Sequence, residues 1–248
     1  MQVMRLLRHL DNLFEASYNQ LFKLTVTNFG LTAWTTWVEN ELPKLMPYGV
    51  VLAQNTPHVF QLYRQAAEVK SFYDQVFRNL ARKTNAEWQP SPLKKMFRIL
   101  EKADQLHHGD FDCSKIFDVV RGTLVYKRMD DQPGGVLMGV QALFACSRFQ
   151  VVRVKDRFNN PTSACWRDVL INGRLVSRDG SIYSHIVEVQ FHQKDLQRER
   201  TMVGGHFMYE RHRALFEACE QACGSEQASA TLKKLHSASR RLISPEDV

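Results

Sequence analysis

Apolar residues recur at helical spacing along the first stretch of the chain, at Leu6, Leu7, Leu10, Leu13, Phe14, Tyr18, Leu21 and Phe22. This spacing gathers them into one stripe and predicts a helix over residues 4–24. A second helix is predicted from Thr32, carrying Trp34, Trp37, Val38 and Leu42 until Pro43 stops it. Pro47, Tyr48 and Gly49 read as a turn. From Thr56-Pro57 a long amphipathic pattern runs through Val59, Phe60, Tyr63, Ala66, Val69, Phe72, Val76, Phe77 and Leu80. Stripes of this kind are packing faces, so the first third of the chain reads as a helical scaffold or lid without chemistry of its own.

The pattern then changes. Trp88-Gln89-Pro90-Ser91-Pro92 reads as a break. A helix is predicted over residues 93–105, with Lys94, Arg98 and Lys102 on one face at four-residue spacing. Residues 116–126 are rich in β-branched and aromatic side chains and predict a strand, with Asp118 and Arg121 set into it. A loop over 130–135, a helix over 136–147 and a strand over 149–154 follow. Strands over 168–175 and 183–192 form a hairpin-like pair about Arg178-Asp179-Gly180, and a helix over 194–223 closes the region. Strands mixed with helices predict an α/β (α+β) fold, a mixed sheet flanked by helices. The predicted division is a helical N-terminal region (1–88), the sheet domain (89–223) and a Ser- and Ala-rich tail (224–248).

Composition narrows the function classes. With 44% hydrophobic and 24% charged residues among 248, the chain has the balance of a soluble globular protein. Its 33 Lys and Arg against 26 Asp and Glu give a net charge of +7. That excess suits a polyanionic partner such as a nucleotide polyphosphate or RNA, and suits equally a basic surface that only aids solubility. Five cysteines without a repeating spacing give no zinc set, and reduced thiols are expected. Neither a signal-peptide pattern nor an apolar run of membrane-spanning length is visible. A reducing intracellular compartment and no membrane partner are therefore expected, with export by a non-classical route left open.

Two carboxylates carry the chemistry. Asp118 lies between Phe117 and Val119, and Glu188 between Val187 and Val189. A carboxylate in an apolar strand needs a cation, an Arg or hydrogen bonds. Two on neighbouring strands could hold Mg²⁺, which prefers carboxylate and phosphate oxygens, whereas either alone would read as an ion-paired strand residue. The cationic block Arg153, Lys155 and Arg157 follows a strand and suits a triphosphate, and Trp166 could stack on a base or fill a core.

From residue 93 to 213 these elements fall in an order that resembles the synthetase domain of the RelA/SpoT family, which moves pyrophosphate from ATP to a ribose 3′-hydroxyl. The Lys94–Lys102 segment resembles the family's basic helix, and Asp118-Val119-Val120-Arg121 its metal-binding strand. Arg153-Val154-Lys155-Asp156, Pro161 and Trp166 resemble the Arg-Phe-Lys-Asp, Pro and Gly-Tyr run. Val187-Glu188-Val189-Gln190-Phe191-His192 resembles the Glu-Ile-Gln-Ile-Arg strand, and His206 with Tyr209 the His-x-x-Tyr that follows it.

The resemblance implies that Asp118 and Glu188 are metal ligands and catalytic carboxylates, Glu188 being the candidate base. It implies that Lys94, Arg98, Lys102, Arg121, Arg153, Lys155 and Arg157 hold ATP. It puts Trp166, Arg167, Gln190, His192, His206 and Tyr209 on the acceptor side. The implied cofactor is Mg²⁺ and the implied donor ATP. The chain departs from the family where the acceptor is read: Cys165 replaces a Gly, Asp168 and Leu170 stand where Ser and His are expected, and His192 replaces an Arg. Small divergent family members include alarmone synthetases and toxin effectors that modify adenine nucleotides or tRNA. The leading expectation is thus an ATP-dependent pyrophosphokinase acting on a nucleotide or RNA. An inactive module that binds a nucleotide or RNA is the alternative, and a helical scaffold protein a third.

Overall fold

The computed structural model describes residues 2–47, 49, 52–107, 111–162 and 166–202. The chain divides into two compact units, residues 1–20 with 198–248, and Leu21–Gln197. Helix α1 (Gln2–Phe29) begins in the first unit, where Ser17 Oγ donates to Glu199 at 3.0 Å. His206 and Tyr209, and the predicted helix beyond residue 202, lie outside the described residues.

The second unit carries the sheet. After α1 come α2 (Thr32–Asn40), the short α3 (Leu42–Leu45) and the long α4 (Val59–Thr84). Then follow β1 (Glu87–Pro90), α5 (Met96–His107), β2 (Arg121–Tyr126), α6 (Val136–Phe144), β3 (Phe149–Asp156), β4 (Val169–Val176), β5 (Ile182–Gln193) and α7 (Lys194–Met202). The sheet order is β1-β2-β5-β4-β3, with β2 and β5 parallel and the other neighbours antiparallel. This is the mixed α/β fold that the pattern predicts. No described helix is long and apolar enough to cross a membrane.

Three predicted elements differ in the structure. The segment 88–90, read as a break, is instead an edge strand, with Pro90 at its end opposite Gly122, where it interrupts no inner ladder. A Cβ on Gly122 would meet the Trp88 ring at 2.1 Å, so the indole packs where only a glycine leaves room. The predicted strand over 116–126 begins only at Arg121. Cys113–Lys115 is a 3₁₀ turn, and Asp118 lies in the connection before β2 rather than on a strand. The basic helix starts at Met96, which leaves Lys94 just ahead of it.

Alternation sets the two faces of the sheet. Gly122, Leu124, Tyr126, Val189 and Phe191 share the face against α4 and α6. On it Tyr126 stacks on Phe191 at 6.0 Å, Phe77 of α4 stacks on Trp88 at 5.5 Å, and Thr84 of α4 meets the Tyr126 hydroxyl at 3.0 Å. A Cβ on Gly139 would lie 2.1 Å from that same hydroxyl, so α6 seats closely over the ring. Helix α4 therefore belongs to the sheet's own core. At the β3 edge, Trp34 of α2 packs edge-on against Phe158 and donates its Nε1–H to Asp156 at 3.1 Å.

His185 of β5 is 1% exposed, and neither of its ring nitrogens has a hydrogen-bond partner. Burial alone pushes its pKa down to about 4. The fold therefore accepts only the neutral ring. Stability from this residue is complete above the unfolded value near 6.5 and drains as pH falls toward 4. The drain is expected to reach roughly 3 kcal/mol, at about 1.4 kcal/mol per pKa unit. Urea unfolding at pH 7.5 and pH 5 should show His185→Leu losing less stability on acidification than the native chain; equal losses would count against this account.

Candidate active site

The face of the sheet opposite α4 and α6 gathers several of the predicted site residues, in rows fixed by strand register. Arg121 of β2, Glu188 of β5, Asn172 of β4 and Arg153 of β3 are mutual cross-strand partners and so stand on one face. The next row is Thr123, Gln190, Leu170 and Lys155. A bulge makes this possible. Val151 pairs with Gly173, yet Arg153 pairs with Asn172, so Val152 is an extra residue in β3. Strict alternation would put Arg153 and Lys155 on the side of Phe149 and Val151. The one-residue slip moves both cations to the Glu188 side.

Asp118 is brought alongside by backbone ties rather than by a ladder. Val119 O accepts from Lys94 N at 3.0 Å, and Val120 O from Glu188 N at 2.9 Å. Gln54, buried at 4% exposure, fastens the start of this connection. Its Nε2 donates to Ile116 O at 2.9 Å and Ile186 O at 3.0 Å, and its Oε1 accepts from Ile186 N at 2.9 Å. Every polar atom of that side chain is thus used, which is what a buried amide requires.

The two carboxylates occupy opposite electrostatic states. Asp118 accepts from Lys94 Nζ at 2.8 Å and Lys102 Nζ at 3.0 Å, with Arg121 Nη1 at 3.7 Å. Burial pushes its pKa up, but Lys102 and Lys94 outweigh that and hold it at about 2. Glu188 is 7% exposed and its pKa is raised, first by burial and next by the Asp118 charge. Its Oε1 accepts from Gln190 Nε2 at 2.8 Å. On the strand's other side the Tyr73 hydroxyl of α4 donates to the Glu188 carbonyl. One carboxylate is locked in the charged form, while the other is poised to take a proton.

The cations form an arc around these acids. The pKa of Lys94 is lowered, chiefly by burial. Arg153 donates to Asn172 Oδ1 from Nε at 3.0 Å and Nη2 at 2.6 Å, and lies 5.1 Å over the Phe117 ring. Lys155 is lowered by burial and then by Arg153 and Arg157. Three cations held this close favour an incoming polyanion. Arg98 instead pairs with Glu101 at 2.9 Å, and Arg157 with the buried Asp168 at 3.0 Å.

On the predicted acceptor side the residues turn inward. Trp166 is 9% exposed, and its backbone is tied to Thr162. Arg167 lies 4.0 Å over the Phe22 ring and donates to the Phe158 carbonyl. His192 Nε2 lies 3.2 Å from Gln190 Oε1 and 3.4 Å from Asp168 Oδ2. Sequence reasoning did not single out Tyr73, Gln54 or Asn172. Only the register 172–188 and the buried polar contacts reveal them, and the one local signal is an Asn between two apolar residues in a strand.

Among the described residues no group of three His, Cys, Asp or Glu side chains could enclose a metal. A pair of carboxylates such as Asp118 and Glu188 would leave a bound Mg²⁺ to take its remaining ligands from water and phosphate oxygens.

No protein-family model and no curated protein matches the chain. Solved structures similar to it include the small alarmone synthetase 1 of Bacillus subtilis bound to its product pppGpp. That match has 20% identity and a TM-score of 0.44, over 71% of this chain and 92% of that one. A GTP pyrophosphokinase family protein of Streptococcus pneumoniae matches at 14% identity and TM-score 0.43, over 73% and 87%. The complex of the type VI effector Tas1 with its immunity protein matches at 19% identity and TM-score 0.40, over 76% and 98%.

Replacing Lys94 and Lys102 together with Met should raise the Asp118 pKa from about 2 toward the ordinary carboxylate range, because burial then meets only Arg121. Carboxyl ¹³C NMR titration of the double variant reads this directly. A midpoint still near 2 would remove the two lysines as its cause.

Proposed function

We propose that the chain is a Mg²⁺-dependent pyrophosphokinase that moves pyrophosphate from ATP to the ribose 3′-hydroxyl of a nucleotide or RNA acceptor. The carrying observation is the pair of unlike carboxylates inside one arc of cations: Asp118 held ionised, and Glu188 buried with a raised pKa. A general base works best with a pKa near the operating pH, and burial moves Glu188 in that direction. In this reading Glu188 takes the proton of the acceptor hydroxyl as its oxygen bonds to the β-phosphorus of ATP. The bond from that phosphorus to the α-phosphate oxygen breaks, and AMP leaves. Arg153, Lys155 and Arg121 offset the charge that spreads over the phosphoryl oxygens. Lys94 and Lys102 can turn from Asp118 to the polyphosphate, which frees carboxylate oxygens. When bound, Mg²⁺ would be held by Asp118, with Glu188 the second candidate ligand, and would add positive charge to the phosphate oxygens.

One observation favours a second reading, a module that binds a nucleotide or RNA without turnover. Both Asp118 oxygens are already taken by lysines. RNA as the partner would require strongly salt-dependent binding.

The purified protein with ATP and Mg²⁺ should release AMP in the presence of one of GDP, GTP, AMP, ADP, ATP or tRNA, measured by chromatography. No AMP with any of them would reject the enzyme and leave the binding module. Glu188→Gln should lower the rate by about 10²–10⁴-fold, the usual weight of a general base, with an unchanged melting profile. The native rate should rise with pH through an apparent pKa above the ordinary 4.5, since only the ionised Glu188 accepts a proton.

A further inference from the structure

A chain of side-chain contacts runs along β5 beside the candidate base and ends at Arg157. Gln190 Nε2 donates to Glu188 Oε1 at 2.8 Å, and Gln190 Oε1 lies 3.2 Å from His192 Nε2. That same nitrogen lies 3.4 Å from Asp168 Oδ2, and Arg157 Nη1 reaches Asp168 Oδ1 at 3.0 Å. Asp168 is 1% and His192 5% exposed. These residues sit on three adjacent strands or their ends. Residues 188, 190 and 192 alternate onto one face, and the Arg157 backbone N donates to the Asp168 carbonyl at 2.9 Å.

Chemistry fixes the direction of this chain. A carboxamide has one accepting oxygen and one donating nitrogen, so the group that faces each end decides which way it turns. The ionised Glu188 can only accept, which turns the Gln190 NH₂ toward it. The Gln190 oxygen then faces His192 Nε2 and needs a donor there. Asp168, an acceptor beside the same nitrogen, selects the tautomer with hydrogen on Nε2. Arg157 in turn holds the Asp168 carboxylate. A glutamine alone could spin about its last bond, whereas one gripped at both ends cannot.

We infer that His192, held by Asp168 and Arg157, is a positioning residue that locks the Gln190 amide and thereby fixes the Glu188 carboxylate for its work as base. The role of Glu188 as base rests on the function proposed above; the locking of the amide does not. It also gives His192 and Asp168 a task directed at the base rather than at the acceptor. Groups that orient a metal ligand from outside its shell are worth about 10–100-fold in activity, and a similar weight is expected for this one.

The amide lock is read first on the native chain by ¹⁵N–¹H NMR of the Gln190 side chain, assigned by its loss in Gln190→Met. Its two amide protons should be widely separated and slow to exchange, and the His192 Nε2–H should be visible. His192→Phe and Asp168→Asn should each bring the two protons together and speed their exchange. His192→Gln, whose amide nitrogen can take the place of Nε2, should restore the native signal. A freely rotating Gln190 amide in the native chain, or one unchanged by His192→Phe, overturns the inference even if no variant is active. In the AMP-release assay, His192→Phe should lower kcat about 10–100-fold with the KM for ATP within about twofold, and His192→Gln should recover most of it. A locked amide in a protein that releases no AMP would reject the proposed reaction and keep the lock. Equal kcat in native and His192→Phe protein would reject the role in catalysis.

Discussion

Glu188 stands in the second of two long inner strands, 7% exposed, with strands on both sides and α4 beneath it. Burying a carboxylate costs several kcal/mol unless neighbours compensate it. Much of the surrounding structure reads as that compensation. Arg121 and Asn172 flank Glu188 by register, Gln190 donates to one of its oxygens, and Tyr73 ties down its carbonyl from the opposite face. The compensation is deliberately incomplete in its effect, because the pKa remains raised. A fully satisfied carboxylate would be a structural ion pair; this one keeps an affinity for a proton.

Asp118 shows the opposite solution a short distance along the fold. It has no ladder of its own, and two backbone ties and the buried Gln54 amide set its place. Two lysines reach it, Lys94 from just ahead of α5 and Lys102 from its middle, and their charges overcome the burial that would otherwise protonate it. The negative charge of Asp118 then acts on Glu188 and adds to its raised pKa. The two acids are thus one electrostatic unit, in which the lysines that stabilise the first also shape the second.

The pattern of the chain made much of this legible. The strands predicted over 149–154, 168–175 and 183–192 correspond to β3, β4 and β5, the long stripe placed α4, and the apolar neighbours of Asp118 and Glu188 marked both acids as costly to bury. Legibility failed at Trp88-Gln89-Pro90, where prolines suggested a break. An edge position tolerates the missing donor, and the Trp88 ring found its seat over Gly122, a contact between distant segments. It failed again at residues 116–120, where β-branched and apolar residues mimic a strand but the hydrogen bonds go to Gln54 and Lys94, and only Val120 reaches the neighbouring strand, at Glu188.

By itself, then, the sequence determined which residue types are available and which stretches can form strands or amphipathic helices, because propensity and periodicity are local. Those local rules suffice to propose two acids and a set of cations. Which side chains share a face was decided only by the tertiary structure. The extra Val152 carries Arg153 and Lys155 across the sheet, and the register of four strands sets Arg121, Glu188, Asn172 and Arg153 in one row. The tertiary structure likewise turned Asp168 and His192 toward each other and toward Gln190. Face and register depend on pairing between strands distant in sequence, and no local pattern encodes where a bulge will shift that pairing.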